Sequence, residues 1–85
     1  MRKNIETVMR AFVLGQYANE KTIHTDGVTL YSYAMPIAKR RIDATGEAIY
    51  FVKDKSAAPS RTTNGQIMAC KAFLRANGTP FNPFV

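Results

Sequence analysis

The chain has 85 residues, 46% of them hydrophobic, and its twelve Lys and Arg against six Asp and Glu leave a formal charge of +6. That length supports one small core and excludes a second; the basic balance points to an acidic partner without choosing among nucleic acid, protein and lipid. Cys70 is the sole cysteine, which excludes an internal disulfide and makes a reduced cytoplasm the expected location.

In the N-terminal stretch "MRKNIETVMRAF", Glu6 and Arg10 interrupt the apolar run that a signal peptide needs, and no segment approaches the ~20 apolar residues of a membrane span. No membrane association is expected. Ile5, Val8, Met9, Phe12 and Val13 instead fall at the spacing of a helix with one buried face. Asn4 is the expected N-cap and Gly15 the expected stop. From Gln16 to Gly27 the pattern fades, and Asp26-Gly27 reads as a turn. Three runs rich in β-formers follow, Val28 to Tyr33, Ile37 to Ile42 and Glu47 to Lys53. Their short connections predict an antiparallel meander.

The aperiodic "DKSAAPSR" reads as a loop. Thr63 and Gln66 have the spacing of a capping box at the start of a second helix, with Ile67, Cys70, Phe73 and Leu74 as its apolar stripe and Gly78 as its end. The expected architecture is α+β in the order α-β-β-β-α: a three-stranded antiparallel meander with two helices on one face. Residues 1–78 form a single domain and 79–85 an extended apolar tail, "TPFNPFV" with its two prolines. Phe81, Phe84 and Val85 are too apolar to stay in water, so the tail is expected to dock beside the last helix. Homodimerisation through the tail or a sheet edge is the alternative.

The stretch "TDGVTLYSYAMPIAKRR", together with the "TT" and Gln66 at the second helix start, resembles a set of small bacteriophage accessory proteins with a TDG-x-x-LYSY strand, an IA pair and a TT helix start. The similarity spans Thr25 to Ala38 and Thr62 to Gln66. It implies a phage-encoded protein of host takeover or counter-defence, for example an anti-CRISPR or other nuclease inhibitor, acting in the host cytoplasm. It assigns no residue a role.

The chemistry of catalysis is missing from the sequence. With His24 and Cys70 each alone of their kind, no metal site and no Cys-His nucleophile pair is expected. Cys70 lies on an apolar stripe, which suits a small core residue. Asp43 and Glu47 flank a hairpin end, where water keeps both ionised, and no phosphate-gripping glycine motif is present. The expected protein is therefore not an enzyme and uses no cofactor.

Two surfaces remain as candidates. Arg61, Thr62 and Thr63, at the start of the second helix, could hold an anion on free backbone N–H groups, although hydroxyls there are also what ordinary capping requires. The second candidate depends on turn length. A four-residue loop, Asp43 to Gly46, puts Lys39 and Arg41 on one face with Tyr50. A three-residue loop, Ala34 to Pro36, adds Tyr31 and Tyr33 to that face and sends Val28, Leu30 and Ser32 to the core, whereas a two-residue loop inverts the assignment. Tyr31, Tyr33, Lys39, Arg41 and Tyr50 then form an open partner-binding face. A host or defence protein is the first expected partner, since Tyr and Arg dominate interface hot spots. Single-stranded nucleic acid, stacked on aromatic rings beside cations, is the second.

Overall fold

A computed structural model describes residues 3–84. Helix α1 (Lys3–Leu14) and helix α2 (Arg61–Ala76) cover one face of a sheet whose strands are β1 (Ala18–Asn19), β2 (Ile23–Thr25), β3 (Thr29–Ser32), β4 (Met35–Ile42), β5 (Ala48–Val52) and β6 (Asn82–Pro83). A 3-10 turn, Lys55–Ala57, precedes α2. The strands lie side by side in chain order, antiparallel from β1 to β5, with β6 parallel to β5. The fold class is α+β, but the three-stranded meander is only the centre of a six-stranded mixed sheet.

The extra strands have a common physical origin. β1 and β6 have two residues each and β2 three, too short to show an alternating pattern, and their backbones are ordered by pairing with longer neighbours. Ile23 and Thr25 of β2 point into the core. In the C-terminal segment, Asn82 and Pro83 pair with Phe51 and Val52, and Phe84 N–H donates to the Val52 carbonyl at 3.1 Å. Val85, part of the docking expectation, lies outside the described residues.

The helices follow the sequence closely, with two corrections at their starts. Val8, Met9 and Phe12 are fully buried, as are Ile67, Cys70 and Leu74. α1 already includes Lys3, so Asn4 is not its cap but sits in the first turn, its Oδ1 accepting the Ile5 N–H at 3.0 Å. The cap of α2 is Ser60, whose Oγ accepts the Thr63 N–H, and not Thr63. The helix ends are as expected: past α2, Gly78 N–H donates to Arg75 O and Thr79 N–H to Leu74 O, the paired bonds of a glycine-terminated helix.

The core joins both helices to the inner sheet face through Ile23, Leu30, Ile37, Ala38, Tyr50 and Val52. Phe12 meets the Tyr50 ring edge-on at 5.8 Å, and the Tyr50 hydroxyl donates to the Val13 carbonyl at 3.3 Å, near the end of α1. Ser32 and Thr63, both buried, share a 2.8 Å hydroxyl bond that ties β3 to the first turn of α2. Gly27 (φ +92) passes so close to α1 that a Cβ there would lie 2.5 Å from the Gly15 carbonyl oxygen.

Candidate nucleic-acid interface on the open sheet face

Turn chemistry decides which side chains reach the open face. In the first hairpin the loop is Tyr33-Ala34, two residues rather than three, because Ser32 pairs with Met35. Alone, that loop would put Leu30 and Ser32 outside. The register then shifts between Leu30 and Tyr31, so Tyr31 pairs with Pro36 and Leu30 with Ala38, leaving Ile37 as a bulge. The bulge restores the parity: Leu30 and Ser32 are buried, and Tyr31 faces out. Val28, expected in the core, is exposed in the turn before β3.

In the second hairpin the loop is longer than expected. Asp43 Oδ1 accepts the Thr45 N–H at 2.9 Å, the Thr45 hydroxyl at 2.6 Å and the Glu47 N–H at 3.0 Å. Gly46 N–H donates to Asp43 O with φ +86 at the glycine, so the turn closes with a left-handed bulge residue. Ile42 therefore pairs with Ala48, not Glu47. This one-residue difference turns β5 over: Tyr50 is 6% exposed in the core, and Phe51, paired with Lys39, faces out.

Of the five expected face residues, Tyr31, Lys39 and Arg41 share the open face. Tyr50 does not. Tyr33 is 54% exposed at the tip of the first hairpin, off the sheet plane, with φ +55, a left-handed conformation unusual for an aromatic residue. Residues absent from the expectation join the face, among them His24, Phe51, Lys53 and Phe84. The Arg41 guanidinium lies over the Phe51 ring at 5.3 Å, the Lys53 ammonium over the Phe84 ring at 4.6 Å, and His24 stacks on Tyr31 at 4.9 Å. Lys39, Arg41, Phe51, Pro83 and Phe84 line a shallow hollow of about 280 Å³. Phe84, expected to dock beside the last helix, lies on the open face instead, because the parallel pairing of β6 brings it beside β5. None of the six acidic residues lies in a strand.

The proposed helix-start trio is split. Arg61 and Thr62 are exposed, while Thr63 is buried and engaged by Ser32 and Ser60. Cys70 is buried, and desolvation pushes its thiol up to about 12; it faces the core from α2 while His24 occupies the opposite side of the sheet. Among the described residues, no three of His, Cys, Asp and Glu gather as metal ligands, and no helix is long and apolar enough to cross a membrane. Asp26 and Asp43 titrate below the usual carboxylate range: Asp26 chiefly through the Thr29 N–H, Asp43 chiefly through the Thr45 hydroxyl. Both are turn builders. Compared with protein families, curated proteins and solved structures, the chain matches none of them.

Proposed function

We propose that this protein is a non-catalytic binding protein that holds single-stranded nucleic acid across its open sheet face. The observation that carries the reading is the alternation on that face of half-buried rings, Tyr31, Phe51 and Phe84, with Lys39, Arg41 and Lys53, cations that have no carboxylate partner among the described residues, and the absence of any acid from the strands. β3 and β5, which carry Tyr31 and Phe51, lie about 10 Å apart on either side of β4; on β4, Pro36 is opposite Tyr31, Lys39 is opposite Phe51, and Arg41 follows two residues further along. Bases stack on the rings while phosphates meet the cations.

The energetics favour the exchange. An exposed cation over a ring is worth about 0.5–1 kcal/mol, whereas stacking one base gains about 1–3 kcal/mol. Arg41 and Lys53 therefore leave their rings for phosphate when bases arrive. Three neutralised phosphates on a single strand give a log-log salt slope of about −2. Fluorescence anisotropy with a labelled oligothymidylate across a salt series tests this. Absence of binding at about 100 μM protein in low salt, or equal binding of duplex, overturns it.

Exposed Leu14, Tyr17, Val28 and Tyr33 favour a second reading, in which the chain modulates a host or defence protein in the manner the phage resemblance implies. Affinity would then rest on tyrosine packing, with a shallow salt dependence.

A further inference from the structure

Tyr33 stands where a glycine is expected. The β3–β4 hairpin turns on two residues, Tyr33 and Ala34, between the paired Ser32 and Met35, and only the first of them has a positive φ, +55. A two-residue hairpin turn with φ > 0 at its first central position alone is the II′ type, which takes glycine there, because a Cβ in the left-handed region crowds the following carbonyl. The backbone is held in this conformation from two sides. Tyr33 N–H donates to the Thr22 carbonyl at 2.9 Å, and the preceding residue, Ser32, is fixed by its buried bond to Thr63. Neither contact uses the tyrosine ring.

The ring gives the fold nothing in return. Tyr33 is 54% exposed, and among the described residues its ring meets no other ring or cation and its hydroxyl has no hydrogen-bond partner. An exposed tyrosine by itself is ordinary. One that also carries left-handed strain, with no packing to offset it, is an outlier of the kind that gathers where a chain meets its ligand.

Its place says what meets it. Tyr31, two residues earlier on β3, lies on the open face against His24, so the hairpin tip is where a strand lying across that face runs off its edge. Two more exposed cations stand at this end of the molecule. Lys21 adjoins Thr22, and Arg61 lines a recess with Thr22 two residues before Thr63. The neighbouring acid, Glu20, makes an ion pair with neither among the described residues.

We propose that Tyr33 is the outermost stacking contact for single-stranded nucleic acid. The strand leaves the open face over the β3–β4 turn and rests a base on the Tyr33 ring, and Lys21 and Arg61 lie along its onward path. The inference rests on the open-face reading and extends its track by one ring.

The test is a variant that folds no worse and binds worse. Tyr33→Gly should be at least as stable as the parent in chemical denaturation, since relief of left-handed strain offsets the added chain entropy of glycine. Its affinity for a labelled oligothymidylate, read by anisotropy, should fall about 5- to 150-fold, the range of one stacked base. Tyr33→Phe keeps the ring and should bind as the parent does. A Tyr33→Gly variant less stable than the parent overturns the proposal, because the ring then serves the fold. So does a Tyr33→Phe variant that binds as weakly as Tyr33→Gly, because the ring then does not stack. Equal binding by Tyr33→Gly and the parent overturns it while leaving the open-face reading intact, and returns Tyr33 to the protein-partner reading. Absence of binding by the parent overturns both.

Discussion

The two faces of strands β3, β4 and β5 use similar residues for opposite ends. Tyr50 and Phe51 are neighbours in the chain; Tyr50 is buried against Phe12, while Phe51 lies beneath the Arg41 guanidinium at the surface. Ala38 and Lys39 divide in the same way. The comparison teaches that aromatic character does not decide burial in a small sheet. Strand parity does, and parity is set at the turns, by the bulge at Ile37 and the left-handed Gly46.

The largest effect that could break this comparison is at its centre. Tyr50→Ala should lower stability by about 3–5 kcal/mol, as expected for emptying a buried aromatic site. Phe51→Ala should keep the fold and weaken oligothymidylate binding by about 1–3 kcal/mol. Chemical denaturation and anisotropy on both variants measure this, and similar stability losses would show that the faces are not distinct. Thr63→Ala should come next, at about 1–3 kcal/mol, because it leaves the buried Ser32 hydroxyl without its partner. A loss no larger than that of an exposed substitution such as Lys55→Ala would break the link between β3 and α2.

Gly46→Ala isolates the turn that orients β5. A Cβ there meets nothing within 4 Å, so the expected loss of about 1 kcal/mol is purely conformational. Unchanged stability would mean that residue 46 is not left-handed and that Tyr50 and Phe51 are exchanged. Arg41→Gln should cost no more than the ~0.5–1 kcal/mol of its contact with the Phe51 ring and reduce the salt slope of binding by about 0.7 unit, one phosphate on a single strand. An unaltered slope would remove Arg41 from the interface.

The smallest effect is in acid. Asp43 titrates below 3.8 in the folded chain, first because of the Thr45 hydroxyl and then the Glu47 N–H. A depressed folded value contributes stability that is present above pH 3.8 and lost as the pH falls through the folded value. Asp43→Asn should therefore flatten the acid limb of the stability profile below pH 3.8. An unchanged acid limb would show that the Asp43 bonds do not hold the loop.

Much of the helical half was legible in the sequence. The stripes ending in Phe12 and Val13 and in Phe73 and Leu74, and the glycines at 15 and 78, are local signals, because a helix satisfies its backbone within its own residues. The three central strands were legible for a related reason, being long enough to show β-rich composition. Lys39 and Arg41 were read on the correct face of β4, and Tyr31 was too, though through two departures that cancel: a loop one residue shorter and a bulge at Ile37.

Tertiary structure alone decided the rest. A strand's hydrogen bonds are made by another strand, so β1, β2 and β6 have no signal in their own few residues, and the bulge at Ile37 is defined only against β3. Tyr50 changed sides because Asp43 binds three donors at once and lengthens its loop by one residue, which inverts every side chain that follows. The same dependence on distant partners made Thr63 a buried link to Ser32 instead of a cap, and brought Phe84 beside Phe51. Composition and periodicity determined the elements and their polarity along the chain; hydrogen bonds between residues far apart in sequence determined which side chains face the solvent, and with them the candidate interface.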